Sequence, residues 1–246
     1  MNCPAEIVRS RLARYLYHEP LSRPYVRWQL EQFLPHLGQR ILEIGCGVGG
    51  VLDLLGEREL LFGIDVEEDS LRYAAERFSG RPAFGFARID VTEDRPEKLA
   101  ELKALRFDSI VCINVLEHIR DDIAALQKME EILQPGGKLV LLVPAHSCLY
   151  GSGDRIDGHY RRYSKAFLRT ILKQTRFSLL DMHYFNLVGA VGWWIFYRLL
   201  KREIHEEGQF GIMNRLLPVL RLLERVVRVP FGLSLVAICQ KPAVSF

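Results

Sequence analysis

The chain has no Cys-x-x-Cys pair, no Cys/His run at zinc spacing and no apolar stretch long enough to cross a bilayer. Its five cysteines, Cys3, Cys46, Cys112, Cys148 and Cys239, are odd in number and widely scattered, which argues against a disulfide framework or a structural zinc site. They read as reduced thiols, and the compartment expected from them is the cytoplasm. Cys46, Cys112 and Cys239 fall in or beside apolar runs and are expected to pack rather than react. The most apolar run, Leu187 to Tyr197, stops at Arg198, short of the roughly 20 residues that a spanning helix needs. Met1 to Arg14 mixes charges with apolar residues, so no secretory signal is expected. A strong charge of one sign is also missing: 33 Lys and Arg face 30 Asp and Glu, for a net charge of +3. Such a balance supports no nucleic-acid partner.

What is present is enough apolar residue, 49% of 246, to bury the core of one domain with an insertion. Residues 1–37 read as an N-terminal helical cap of two helices, broken around Pro20 to Pro24. From 38 to 184, strand and helix signals alternate. Strands are expected at 40–44, 60–64, 83–89, 108–113, 137–143 and 177–184. Helices are expected at 50–56, 70–78 (capped by Asp69 or Ser70), 96–105, 121–133 and 165–174 (capped by Ser164). Repeated βα units imply an α/β fold with a doubly wound, mostly parallel sheet. Residues 185–230 break the pattern with the apolar run, a charged stretch from Lys201 to Glu207 and an amphipathic stretch from Met213 to Val229. Residues 231–246 return with a last strand, Leu233 to Cys239.

The segment Ile41-Leu42-Glu43-Ile44-Gly45-Cys46-Gly47-Val48-Gly49-Gly50 is a buried strand that breaks into a glycine-rich turn and opens a helix. Glycines there let the main chain come close to a ligand, and the helix start leaves free N–H donors. Asp65 follows Gly45 by twenty residues at a strand end, where a ribose-binding acid belongs. A nicotinamide cofactor and S-adenosylmethionine both fit this pair, because each presents a ribose diol. Three features favour S-adenosylmethionine. Glu43 precedes the first glycine, where a carboxylate suits a cationic ligand and would gain nothing beside a pyrophosphate. Asp90 ends the third strand, placed to accept from an adenine amino group. Asn114-Val115-Leu116-Glu117-His118 follows the fourth strand at the carboxyl edge, where ligands of open α/β sheets bind.

With ILEIGCGVGG, GID, ARID, FDSIVCINVLEHI and LQPGGKLVLLVP in that order, the chain resembles the class I S-adenosylmethionine-dependent methyltransferases across about residues 38–182. The resemblance implies a seven-stranded sheet with an antiparallel last strand inserted beside the sixth. It also implies that Glu43, Gly45 and Gly47 line the methionine side, Asp65 holds ribose, Asp90 with Val91 holds adenine, and Asn114 lies near the sulfonium. Cys46, Val66, Val115 and His118 complete the expected donor-binding set. The segment 114–118 is similar to ubiquinone-biosynthesis O-methyltransferases, some of which hold a metal on Glu-x-x-Glu-His. Here Asn114 stands in the place of the first acid, and no metal is expected, since a hard divalent ion favours several anionic oxygens.

The polar, aromatic connection 144–163 is long for such a fold and is the expected acceptor side. Its GHYRRYS resembles a bacterial subgroup of these methyltransferases, as do YFNLVGAVGWW and PFGLSLVAICQKP further on. His159, His146 and Tyr160 are the candidate catalytic residues, with a histidine as base where the acceptor carries a proton. Arg161 and Arg162 fit either an anionic acceptor group or ion pairs with Asp154 and Asp157. The expected activity is methyl transfer to a small-molecule or lipid-linked acceptor, leaving S-adenosylhomocysteine. The 185–230 insertion is read as an acceptor lid, a homodimer contact or a peripheral membrane contact. The alternatives are an NAD(P)-dependent oxidoreductase and a non-catalytic S-adenosylmethionine-binding module.

Overall fold

The computed structural model describes residues 11–201, 215, 217–224 and 229–243. Helix α1 spans Arg11–Glu31, and a single 3₁₀ turn at Leu34–His36 leads into β1, Arg40–Ile44. Then come α2 (Gly50–Leu54), β2 (Leu60–Asp65), α3 (Glu68–Arg77), β3 (Phe84–Arg88), α4 (Pro96–Ala104), β4 (Ser109–Ile113) and α5 (Asp122–Ile132). The second half holds β5 (Lys138–Pro144), α6 (Ser152–Asp157), α7 (Lys165–Leu172), β6 (Ser178–Phe185), α8 (Leu187–Trp193) and β7 (Ser234–Gln240).

The seven strands form one sheet in the order β3-β2-β1-β4-β5-β7-β6. Strands β1 to β5 are parallel, and β7 runs antiparallel to both of its neighbours, pairing Leu141 with Ala237 and Met182 with Ala237 across its two edges. Central parallel strands are covered on both faces, which is why they read as continuous apolar runs. Side chains alternate between two cores. Leu42, Ile110, Cys112 and Leu141 face a layer with Leu126, Met129 and Leu168, while Ile41, Val111 and Val140 face Trp28, Phe33 and Phe185. Leu139 to Val143 are wholly buried. Each such side chain contributes about 1.5–3 kcal/mol by leaving water.

The N-terminal helices expected on either side of Pro20 to Pro24 are one continuous helix, α1, over the described residues. Each proline removes one i to i−4 hydrogen bond, so local preference opposes this continuity. Tertiary contacts override it: Arg23 pairs with Asp53 at 2.8 Å, Glu19 with Arg77 at 2.8 Å, and Trp28, Leu30 and Phe33 are buried. Helix α3 starts at Glu68, two residues before the expected start, and neither Asp69 nor Ser70 caps it. The Glu67 N–H donates to Asp65 Oδ1 at 3.0 Å, which sets the backbone for an earlier start. The expected loop at 144–163 contains a 3₁₀ turn at Ser147–Leu149 and the short helix α6.

After β6, α8 continues as a π-helix over Trp194–Leu199. Residues 217–224 are helical, with Leu217 and Leu220 buried and Val219, Leu222 and Leu223 exposed. The expected charged stretch beyond Lys201, the start of the N-terminal cap and part of the 213–229 stretch lie outside the described residues. Among the described residues, no helix is long and apolar enough to cross a membrane.

Candidate active site at the carboxyl edge of the sheet

Because β1 to β5 are parallel, the turns after them gather at one edge, and that edge holds nearly every residue singled out above. The glycine turn follows β1. Gly45, Gly47 and Gly49 have φ of +74°, +51° and +77°, the left-handed region that glycine enters without penalty. The Gly45 and Cys46 N–H groups both donate to the Ile64 carbonyl, at 2.8 and 3.1 Å, which fastens the turn to the end of β2. A side chain at Gly45 would collide with Val115, whose Cγ2 lies 2.4 Å from where its Cβ would be. Val115 is therefore packed directly against the turn. The Cys46 thiol points at Gly63 beneath the turn, so only its main chain borders the site.

Asp65 joins two parts of this edge. Its Oδ2 accepts from the Gly47 N–H at 2.8 Å and its Oδ1 from Glu67 at 3.0 Å, so the acid holds the turn to the start of α3. Each oxygen keeps a further lone pair for a hydroxyl donor. Val66, next along, is exposed, and its carbonyl accepts from Arg88 Nε. Glu43 is buried behind the turn, with Oε2 unpartnered. Burial, reinforced by the Asp65 charge, raises its carboxyl well above the usual range, against a hydrogen bond from the Leu52 backbone. Asp90 Oδ1 accepts from both the N–H and the hydroxyl of Thr92, at 2.8 and 2.7 Å, closing a turn before the buried Val91. One Asp90 oxygen thus serves the local turn.

After β4, Asn114 takes a positive φ of 50° and is exposed, and a 3₁₀ turn over Leu116–His118 follows. This turn meets the connection after β5. Glu117 is wholly buried, and neither of its carboxylate oxygens has a hydrogen-bond partner. Burial pushes its carboxyl up to about 7, although the charges of His159 and Arg162 oppose the rise. His159 Nε2 lies 3.9 Å from Glu117 Oε1, and the rings of His118 and His159 meet edge to face at 4.7 Å.

Asp154 organises the loop that carries His159. It accepts from Gly151 N–H at 2.9 Å, pairs with His159 Nδ1 at 2.8 Å and accepts from Arg162 Nε at 2.7 Å, all with almost no solvent contact. Burial alone would raise its carboxyl, but the His159 hydrogen bond and the Arg162 charge hold it below the ordinary range. Arg162 also donates to the Ala145 carbonyl and lies 4.7 Å over the Trp193 ring. Of the two expected uses for the paired arginines, ion pairing holds for both. Arg161 meets Asp122 at 2.7 Å, not Asp157.

The other two catalytic candidates stand differently. Tyr160 is exposed, and its N–H donates to the Glu117 carbonyl at 2.8 Å, so its backbone is part of the cluster. His146 is sandwiched between Phe231 at 3.9 Å and Tyr184 at 4.4 Å, with Nε2 buried and unpartnered. Burial, and then the charges of Arg162 and Lys165, lower its pKa and favour its neutral form. The thiols of Cys46, Cys112 and Cys239 are all raised by burial, the last to about 12, as expected of packing residues. Sequence reasoning missed the central place of Asp154 and the isolation of the Glu117 carboxylate. The two acids and three arginines of this polar, aromatic loop were the only signal for the former.

Glu117, His118 and His159 each present a ligand atom, and those atoms lie within 4.8 Å of one another. The expectation of no metal weighed only the 114–118 segment. Two imidazoles and one carboxylate suit a borderline ion such as zinc better than a hard ion.

The family described as a methyltransferase domain matches residues 42–139. A ubiquinone biosynthesis O-methyltransferase of Paracidovorax citrulli is 30% identical over 111 residues, which is 44% of this chain and 44% of that protein. The chain spans less than half the length of the curated relatives it matches. Among solved structures, an S-adenosylmethionine-dependent methyltransferase from Archaeoglobus fulgidus superposes with a TM-score of 0.59 at 20% identity, covering 93% of this chain and 99% of the other. The N-methyltransferase NodS of Bradyrhizobium japonicum WM9, solved with S-adenosylhomocysteine, gives a TM-score of 0.53 at 18% identity over 98% and 93% of the two chains. Residues 42–139 are thus similar to a methyltransferase domain, and the whole chain has the fold of the solved S-adenosylmethionine-dependent methyltransferase.

Proposed function

We propose that the protein transfers a methyl group from S-adenosylmethionine to a small-molecule or lipid-linked acceptor held between the glycine turn and the 145–163 connection. The observation that carries this reading is the antiparallel β7 between β5 and β6, beside a glycine turn backed by buried Glu43. The six-stranded dinucleotide fold has no such strand and neutralises a pyrophosphate, next to which a buried acid is unfavourable. Glu43, Gly45, Cys46 and Gly47 border the methionine part, Asp65 and Val66 the ribose, Asp90 and Val91 the adenine. Asn114, Val115 and His118 lie toward the sulfonium.

Transfer is an in-line displacement. The acceptor oxygen forms a bond to the methyl carbon as the carbon–sulfur bond breaks, and its electron pair leaves S-adenosylhomocysteine as a neutral thioether. Placement supplies much of the rate. An oxygen acceptor is supported by the names of the curated relatives. The acceptor's proton goes to His159 Nε2: an Nδ1–H donated to Asp154 leaves the Nε2 lone pair facing Glu117 and the crevice. Tyr160 flanks the acceptor, and His146 shapes the floor of the connection from its aromatic stack. Within GHYRRY, His159 and Arg162 share one buried acid, Asp154.

The insertion packs onto this connection. Trp193 Nε1 donates to the Leu149 carbonyl at 3.2 Å and Ser152 Oγ to the Tyr197 carbonyl at 3.1 Å, which supports the lid role for residues 185–230. Its outer stripe of Val188, Val191, Trp194, Ile195 and Leu199 is exposed and suits an apolar acceptor chain, a membrane face or a second copy.

A second reading is favoured by the unpartnered Glu117 carboxylate. Glu117, His118 and His159 would hold a zinc-like ion, which when bound polarises an acceptor oxygen as a Lewis acid. Calorimetric titration with S-adenosylmethionine and NADH tests the main reading: only the former is expected to bind, and NADH binding alone would overturn it. With labelled donor, His159→Asn should lose turnover while keeping donor affinity. Metal analysis of the purified protein separates the two roles of His159.

A further inference from the structure

Gly47 has no side chain, and the volume next to its Cα is occupied from another element. A Cβ there would lie 3.3, 3.4 and 3.5 Å from Cζ, Cε1 and Cε2 of Tyr15. The hydroxyl is not among the nearest atoms, so the ring meets the turn with its face rather than its tip. Tyr15 lies on α1, sixteen residues before the helix ends at Glu31, and its side chain is 43% exposed despite this contact.

The placement is enforced from three sides. Glu19, one helical turn further on, holds Arg77 of α3 with both carboxylate oxygens at 2.8 and 2.9 Å, and a Cβ on Gly50 would lie 3.2 Å from its Oε1. Arg23, the next turn, holds Asp53 of α2 at 2.8 Å. Arg77 also reaches the Val48 carbonyl at 3.5 Å. The helix is clamped to both helices that flank the glycine turn, which leaves Tyr15 standing over the turn itself.

We propose that Tyr15 is a donor-binding residue: its ring closes the methionine end of the S-adenosylmethionine site, with the ammonium of the donor's 3-amino-3-carboxypropyl group against the aromatic ring. This rests on the proposed methyl-donor reading. The chemistry matches, since an ammonium is attracted by the ring quadrupole and a phenyl ring serves as well as a phenol. A side chain that only stiffened the turn would not distinguish one end of the donor from the other.

The test is calorimetry of S-adenosylmethionine, S-adenosylhomocysteine and 5′-methylthioadenosine, the last lacking the amino-acid end, on wild type, Tyr15→Ala and Tyr15→Phe. Tyr15→Ala is expected to weaken the first two about tenfold and leave methylthioadenosine unchanged, while Tyr15→Phe binds all three like wild type. Equal losses on all three ligands, no loss on any, or a tenfold loss in Tyr15→Phe would overturn the assignment. Wild type that binds none of the three would instead refute the donor reading on which it stands. The exposure of Tyr15 lets both variants fold, and urea midpoints within experimental error of wild type verify that.

Discussion

The buried pair of Asp154 and Arg162 lends itself to a quantitative test. Both side chains are almost fully out of water, at 2.7 Å, and Asp154 serves His159 and Gly151 as well. Replacing Asp154 with Leu leaves the guanidinium with the Ala145 carbonyl and the Trp193 face but without its paired carboxylate, and a buried charge without its partner costs about 3–5 kcal/mol. Arg162→Met strands the carboxylate, at a similar cost of about 3–5 kcal/mol. The double variant has no orphaned charge. It should lie no lower in stability than either single, with a coupling of about 3 kcal/mol in the cycle. Urea unfolding at pH 7 followed by circular dichroism gives the global values, and the fluorescence of Trp193, which lies under Arg162, reports on the loop. Because the Asp154 carboxyl is held below its ordinary range, the pair's contribution is complete at neutral pH and fades only as pH falls through that lowered value. Singles that each lose less than about 1 kcal/mol, or a double equal to their sum, would show that water reaches the pair and refute the reasoning.

Three further outcomes follow from the same geometry. Asp65→Ala removes the proposed ribose acceptor and the anchor of Gly47, so donor affinity should fall by about 1.5–3 kcal/mol, measured by calorimetry, and unchanged affinity would sink the ribose assignment. Glu117 has a raised folded-state pKa of about 7, so its protonated form is favoured and stability is lost as pH rises from the ordinary carboxylate range through 7. In chelator-containing buffer, Glu117→Gln should therefore gain about 3 kcal/mol over wild type at pH 8.5 and almost nothing at pH 4.5; an equal difference at both pH values counts against it. Glu43 has its carboxyl raised by burial, while a cationic donor favours the charged form, so donor affinity should increase with pH, a dependence measured by calorimetry that Glu43→Gln abolishes.

The parallel core was readable because its strands are buried on both faces and leave unbroken apolar runs such as Leu139 to Val143. The glycine turn and Asp65 were readable because their chemistry depends on local spacing. Helix α1 was not, since Pro20 and Pro24 argue for a break and the contacts that prevent it, to Asp53 and Arg77, are 30 and 58 residues away. The acceptor side was half legible. Its polar residues announced a working loop, but nothing in their order says that Asp154 takes Arg162 and His159 while Arg161 turns to Asp122. Such choices are made by burial, which selects one partner among several of equal charge.

Strand β7 has a consequence for how the chain reaches this structure. Among the described residues it is the only neighbour of β6, and it covers the open edge of β5 along seven residue pairs. Until residues 234–240 are made, β5 and β6 each present unpaired backbone to solvent, the kind of edge that recruits other strands. The halves on either side of the insertion are joined last, by contacts such as the pair of Leu139 with Cys239, 100 residues apart in the chain. Closure is then a late and slow event, governed by loop entropy rather than local preference. A chain stopped before Leu233 would keep its glycine turn and its first five strands in sequence, yet remain an aggregation-prone intermediate.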